Sequence, residues 1–245
     1  MNIKLKKAFN DLRINPGRTA LVIFALAIGL WGVGSLMVSA TILRNDLREN
    51  FTGTSPAHMI LTSKEFGRLD LAAFRKLPGI ESAEFRDLSL QRIEAHRDEW
   101  IPLWLFGVGD FDNFTVAGFY REKGDKTPAP GTMLIERDGQ LISDLAPGSR
   151  ARVRAGKNIV EVPVSGVSFD PAQAPATQDH FIYAYVDKKT YEDITGEPSD
   201  QRLIVRLKNV NTTRDVQAAA DRIIADLASQ GIPVATLKVP KLNEH

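Results

Sequence analysis

Between Thr19 and Leu43 the chain reads TALVIFALAIGLWGVGSLMVSATIL, without a charge or a proline. A helix rises about 1.5 Å per residue, so roughly 20 apolar residues cross a bilayer core. The segment is long enough to span, and Arg18 and Arg44 bracket it where charges reach the headgroups. Residues 1–18 carry Lys4, Lys6, Lys7, Arg13 and Arg18 against Asp11 alone, a net charge of +4. The positive-inside rule then puts the N-terminus in the cytoplasm and everything after Leu43 outside. A cleaved signal peptide is the rival reading, with Val38-Ser39-Ala40 as its cleavage site. A signal's apolar region is usually about 7–15 residues long, and this one is longer, so the anchor reading is preferred.

The span divides the chain into a cytoplasmic leader at 1–18, a transmembrane helix at 19–43, a stalk at 44–55 and an outer domain at 56–241. The leader places Leu5, Ala8, Phe9 and Leu12 at helical spacing among basic residues. That pattern predicts an amphipathic helix on the inner leaflet, with Lys4, Lys6, Lys7, Arg13 and Arg18 as lipid contacts. Asn15-Pro16-Gly17 then breaks it, Asn15 serving as a cap and Pro16 suiting a first helical turn. Within the span, Ala25, Gly29, Gly32, Ser39 and Ala40 fall on one face. Small residues let a second helix approach, which makes this a candidate packing face. Leu43, Leu47 and Phe51 carry the helical pattern on into the stalk.

The whole chain has 245 residues and a formal net charge of +1, so the part after the leader is mildly acidic at −3. That balance offers nucleic acid no footprint. Cysteine is absent, so no disulfide staples the outer part. About 200 residues are enough for a core that folds without the span.

Short strands and helices alternate in the outer part. Strands are expected at Ala57–Thr62, Ile80–His96, Trp100–Val108, Thr132–Glu136, Arg150–Arg154, Asn158–Phe169, Phe181–Val186, Leu203–Leu207 and Val234–Val239. Helices are expected at Asp70–Leu77, Lys188–Ile194 and Thr213–Ser229. The last carries a capping-box pattern at Thr212 and Asp215 and a stop at Gly231. The interspersed order makes the outer domain α+β.

Catalytic signals are missing. Gly118 and Gly124 lie six apart, but Asp125 follows where a phosphate-binding loop needs lysine and a hydroxyl. The chain is not expected to hydrolyse ATP or to act as an enzyme. His58, His96, His180 and His245 have no zinc spacing. Asp110-Phe111-Asp112-Asn113 starts like a calcium loop but lacks its glycine and distal glutamate, and reads as a turn. No serine sits in a nucleophile-elbow pattern.

Four segments together resemble the MacB/FtsX-like permeases, the membrane subunits of mechanotransmission ABC systems. They are LKKAFNDLRINPGRTALVIFALAIGL at 5–30, LPGIESAEF at 77–85, LWLFGVGDFDNF at 103–114 and GTMLIERDGQLISDLAPGSRARV at 131–153. The resemblance implies an anchored MacB-like periplasmic core domain that moves when a separate ATPase subunit closes on ATP. No cofactor is then expected in this chain. The implied partners are that ATPase, the remaining permease spans or a second permease chain, and membrane lipids, in a bacterial inner membrane. Such permeases usually continue into three more spans, so the sequence reads as the N-terminal portion of a longer permease or as a half that needs a partner chain. The alternative is a single-pass anchored binding or adaptor module without transport. A gene neighbour encoding an ATPase would favour the first.

Overall fold

The computed structural model describes Ile14, residues 16–124 and residues 127–240, with only the backbone of residues 43–52. The leader helix, the lipid contacts Lys4, Lys6, Lys7 and Arg13, the Asn15 cap and the Leu43–Leu47–Phe51 side-chain line lie outside the described residues. The chain divides into two units, Met1–Leu47 and Arg48–His245.

The first unit is dominated by helix α1, Pro16–Gly53, which runs on into the second. At about 1.5 Å per residue, its 38 residues measure about 57 Å. Its stretch Pro16–Ile42 is long and apolar enough to cross a membrane, and none of that window is buried. Leu21, Phe24, Leu30, Trp31 and Leu36 are each more than 60% exposed, a surface that water would not tolerate and a bilayer would. The helix has no break at Val38-Ser39-Ala40. The Thr41 hydroxyl donates to the Met37 carbonyl at 2.8 Å, so it needs no partner from lipid.

The second unit is α+β. In chain order it holds β1 (Met59–Thr62), a 3-10 turn (Phe66–Arg68), α2 (Leu71–Phe74), β2 (Ile80–His96), β3 (Glu99–Val108), β4 (Tyr120–Gly124) and β5 (Met133–Glu136). A second 3-10 turn (Arg137–Leu141) follows, then β6 (Arg150–Ala155), β7 (Asn158–Phe169), α3 (Ala176–Asp179) and β8 (Ile182–Asp187). The chain closes with α4 (Lys188–Thr195), β9 (Arg202–Leu207), α5 (Thr213–Ser229) and β10 (Thr236–Lys238).

Strand β2 organises the unit because its two halves belong to different sheets. Ile80–Phe85 pairs with β9, which pairs with β1, which pairs with β10, all antiparallel. Arg86–His96 pairs with β3, and Arg92 and Ile93 also pair with β6. From β3 the ladder continues through β8, β5 and β7 to β6, and so back to β2. Six strands therefore close into a barrel.

Alternation explains how each half fills. Ile93, Ala95, Ile101, Leu103, Leu105, Met133, Ile135, Ala151, Val153, Val162, Val164, Ile182, Ala184 and Val186 point into the barrel as one apolar cluster, joined by Tyr191 and Ile194 of α4. In the four-stranded sheet, Met59, Leu61, Ala83, Phe85, Leu203, Val205 and Leu207 face Val216, Ala220 and Leu227 of α5. Helix α5 starts at a complete capping box between Thr212 and Asp215. It stops where Gly231 takes φ +77° and Ile232 N donates back to the Leu227 carbonyl at 2.9 Å. A third cluster lies outside the barrel, where Phe111, Phe114 and Phe119 cover Phe106, Leu134, Tyr183 and Tyr185.

The structure departs from the sequence expectations in several places, the 3-10 turn Phe66–Arg68 and helix α3 among them. Helix α2 is one turn, capped by Asp70, whose Oδ1 accepts from Ala72 N and Ala73 N at 3.0 Å. The expected strand at Val234–Val239 is paired only at Thr236–Lys238. The 3-10 turn at Arg137–Leu141 carried no periodic signal. Strand β4 was not expected at all, because its residues are polar and mostly exposed. What admits it is a pair of glycines. A Cβ on Gly166 would lie 2.4 Å from the Lys123 carbonyl oxygen, and one on Gly124 would lie 2.2 Å from that of Ser165. Only glycine lets β4 and β7 approach this closely.

Candidate functional site

The outer unit has a cleft of about 510 Å³ where the lower face of the four-stranded sheet meets the barrel's outer wall. Ile60 and Ile204 line one side. Leu88, Trp104, Phe106, Phe181 and Tyr183 line the other. Trp104 and Phe181 meet edge to face at 6.3 Å. The cleft has apolar walls with a few polar groups set among them.

The polar groups come from the junction inside β2. The sequence Glu84-Phe85-Arg86 puts two charges on the face opposite the Phe85 core. Glu84 is 9% exposed and Arg86 4%. Arg86 Nη2 donates to Glu84 Oε2 at 3.1 Å, and Nη1 donates to the Ala117 carbonyl at 3.0 Å. Its guanidinium lies 5.1 Å from the Phe114 ring centroid. Glu84 Oε1 accepts from Thr115 N, from the Thr115 hydroxyl at 2.8 Å and from Val116 N at 3.2 Å. This pair therefore latches loop 115–117, and with it the aromatic cover, to the end of β2.

Beside it lies Arg202. The register Glu84↔Ile204 and Phe85↔Leu203 sets Arg202 opposite Arg86 on the same face. Arg202 Nη1 donates to the Arg86 carbonyl at 3.2 Å. Burial, and then the Arg86 charge, push its pKa down to about 10. Asp87 lies close by with its carboxylate taken up by backbone, accepting from Asp200 N and Gln201 N at 2.8 Å and from Arg202 N at 3.3 Å. Burial pushes the Asp87 pKa up.

At the barrel end of the cleft, Asp170 accepts from Tyr185 Oη at 2.6 Å, Ala172 N at 2.9 Å and Gln173 Nε2 at 3.2 Å. Nearby Glu136 is 4% exposed and accepts from Asp138 N at 2.8 Å. Burial, reinforced by Asp138 and Asp170, raises its pKa to about 7. A carboxyl whose folded pKa lies above its unfolded value stabilises the fold in its protonated form. That contribution is complete below about pH 4.5 and is lost as pH rises to about 7. Glu136→Gln is expected to raise the thermal midpoint at pH 8 and to leave it unchanged at pH 4, so that a pH series of melts flattens between those values.

The five small residues of the candidate packing face share one side of α1. At about 100° per residue they fall within an arc of about 100°, while Gly34 lies opposite. A Cβ on Gly29 or Gly32 would meet nothing within 4 Å. Arg18 is exposed on the first turns of α1. Among the described residues no three His, Cys, Asp or Glu side chains converge as metal ligands. Asp110 instead builds a turn, its Oδ1 accepting from Asp112 N at 2.8 Å and Asn113 N at 3.3 Å.

Sequence reasoning did not find the cleft. Arg86 and Arg202 are far apart in the chain and meet only through strand register. The available signal was the Glu84-x-Arg86 pair, two opposite charges flanking Phe85 on one face of β2.

No protein-family model and no curated protein matches the sequence. Among solved structures, the chain is similar to the periplasmic region of MacB from Actinobacillus actinomycetemcomitans. The identity is 16% and the TM-score 0.46, over 79% of this chain and 94% of that one. It is also similar to the extracellular domain of the noncanonic ABC-type transporter YknZ from Gram-positive bacteria, at 14% identity and a TM-score of 0.46, covering 76% of this chain and 100% of that one. A domain of a permease protein from Porphyromonas gingivalis matches at 15% identity and a TM-score of 0.40, over 70% and 78% of the two chains.

Proposed function

We propose that this chain is the N-terminal part of an ABC permease of the mechanotransmission type. In this reading α1 is its first membrane span and residues after 53 form its extracytoplasmic domain. One observation carries the reading. Helix α1 is unbroken from Pro16 to Gly53, and only five residues separate it from β1. A helix of that length stands clear of a ~30 Å hydrocarbon core at one end or both, and a link of five residues leaves little slack. Motion of the span then reaches the outer sheet as displacement. The four sequence segments that resemble MacB/FtsX-like permeases support the same assignment. ATP binding belongs to a separate subunit, and the cytoplasmic leader and anionic inner leaflet fix the N-terminus inside.

Co-expression with the ATPase encoded nearest the gene tests this. The two are expected to co-purify, and proteolysis of the outer domain in spheroplasts is expected to change between ATP-bound and nucleotide-free states. A protease pattern indifferent to nucleotide, with no ATPase recovered, would favour the anchored binding module. The cleft is the feature that such a module would use.

The small face makes a second test. Gly29→Leu/Gly32→Leu raises the apolar character of the span, so insertion is expected to be at least as good. Two added side chains at a close helix contact are expected to abolish co-purification with the other permease spans or a second permease chain. Ile23→Leu is expected to leave it intact. Normal assembly of the double variant would mean that this face meets lipid.

A further inference from the structure

We infer that the cleft between the four-stranded sheet and the barrel binds a monoanionic carboxylate carried on an aromatic or branched apolar body, with Arg202 as the residue that takes the carboxylate. The inference stands apart from the ATPase assignment and would hold for an anchored binding module as well.

The cleft wall carries an imbalance of charge. Two arginines sit opposite each other on adjacent strands, an arrangement that costs stability when nothing compensates it. Arg86 is compensated, since Glu84 and two loop carbonyls take its Nη donors. Arg202 is less so. Among the described residues no carboxylate lies within ion-pair distance of its guanidinium, and its one hydrogen bond is from Nη1 to the Arg86 carbonyl. The buried acid Asp87, its oxygens bonded to backbone N–H groups, offsets part of the Arg202 charge from beyond that distance.

Nε and Nη2 of Arg202 are thus left free. Together they form the side-on edge of the guanidinium, the fork that accepts a carboxylate through two parallel hydrogen bonds. Neither atom is among the sealed, partnerless polar atoms of the structure, and Arg202 lines the cleft. A mostly desolvated guanidinium whose neighbouring acid, Asp87, lies beyond ion-pair distance is costly to keep, and an anion that supplies both acceptors repays that cost.

The surroundings select the rest of the ligand. Ile60, Ile204, Trp104 and Phe181 offer apolar and aromatic walls but few further donors, which suits a carbon body. Lys238 adds a second cation at the cleft edge. Asp179 on the exposed rim and Asp170 on the far wall disfavour a second negative charge. A single carboxylate fits this balance and a phosphate dianion does not.

The test uses the full chain in lipid nanodiscs and two matched probes, naphthalene-2-carboxylate and naphthalene-2-carboxamide, titrated calorimetrically against empty nanodiscs. The carboxylate is expected to bind at least tenfold more tightly than the neutral amide. Arg202→Gln is expected to erase that preference, and Arg202→Lys to restore only part of it, because an ammonium lacks the fork. Trp104→Ala is expected to weaken both probes alike. Arg214→Gln, on the exposed start of α5, is expected to change neither. Equal affinity of the two probes for the unmodified chain, failure of both to bind, or a preference that survives in Arg202→Gln would each overturn the assignment. The comparison of probes on the unmodified chain needs no variant to fold.

Discussion

Arg86→Met is expected to destabilise the outer domain by about 3 kcal/mol or more, an effect read as a large drop in its thermal midpoint by near-ultraviolet circular dichroism. The methionine fills most of the arginine's volume, so loss of packing is not the cause. Glu84 is left buried as a charge without its cation, and the carbonyls of Val116 and Ala117 lose their donor. Loop 115–117 then loses the arginine's half of its latch, and Phe114 and Phe119 lose the guanidinium packed against them. The double variant Glu84→Gln/Arg86→Met is expected to recover at least half of the loss, because it removes the stranded charge. A double variant no more stable than the single one would mean that the latch, rather than the orphaned carboxylate, carries the energy. Arg202→Gln is the contrast. It removes the less compensated member of the pair and is expected to leave the midpoint unchanged or raised.

Leu103→Ala is expected to cost about 2–5 kcal/mol, towards the upper end of that range. Leu103 is fully buried in the barrel, between strands tied on both sides. A cavity costs most where its walls cannot collapse into it, and a closed ring of hydrogen-bonded strands resists collapse from every direction. Leu227→Ala, on the sheet-facing side of α5, removes a side chain equally buried. A helix resting on an open sheet can shift to fill the gap, so the smaller loss is expected there. Equal losses at the two sites, measured by chemical denaturation, would mean that the barrel relaxes as freely as the open sheet.

Most of the elements of the outer domain were legible because the sequence states them locally. Ile80–His96 alternates in short runs, Ala83/Phe85, Leu88/Leu90 and Ile93/Ala95, and Thr213–Ser229 carries its own cap, stripe and stop. Strand β4 was not legible, because its place depends on Gly166 and Gly124 letting two backbones meet across forty residues of chain. Barrel closure was not legible either. It rests on β2 pairing with β6 through only Arg92 and Ile93, a contact between segments that each look like ordinary hairpin strands. The cleft follows the same pattern. Each arginine reads alone as a surface charge, and only the register of β2 with β9 brings them side by side. What remained hidden was non-local pairing, which neither periodicity nor propensity encodes.

The double membership of β2 has a consequence for how such a chain can change. All of the barrel, from Arg86 to Gln201, is threaded between two strands that already lie next to each other, since Phe85 is the pairing partner of Leu203. The chain departs and returns at neighbouring positions of one antiparallel ladder, about 5 Å apart. A tight turn in place of the barrel would leave the four-stranded sheet and α5 with every ladder bond among β10, β1, β9 and Ile80–Phe85 intact. Lengthening, replacing or duplicating the barrel would likewise leave those bonds unchanged. The fold is thus a fixed socket with an interchangeable head, free to diversify at the head while the four-stranded sheet and α5 stay the same.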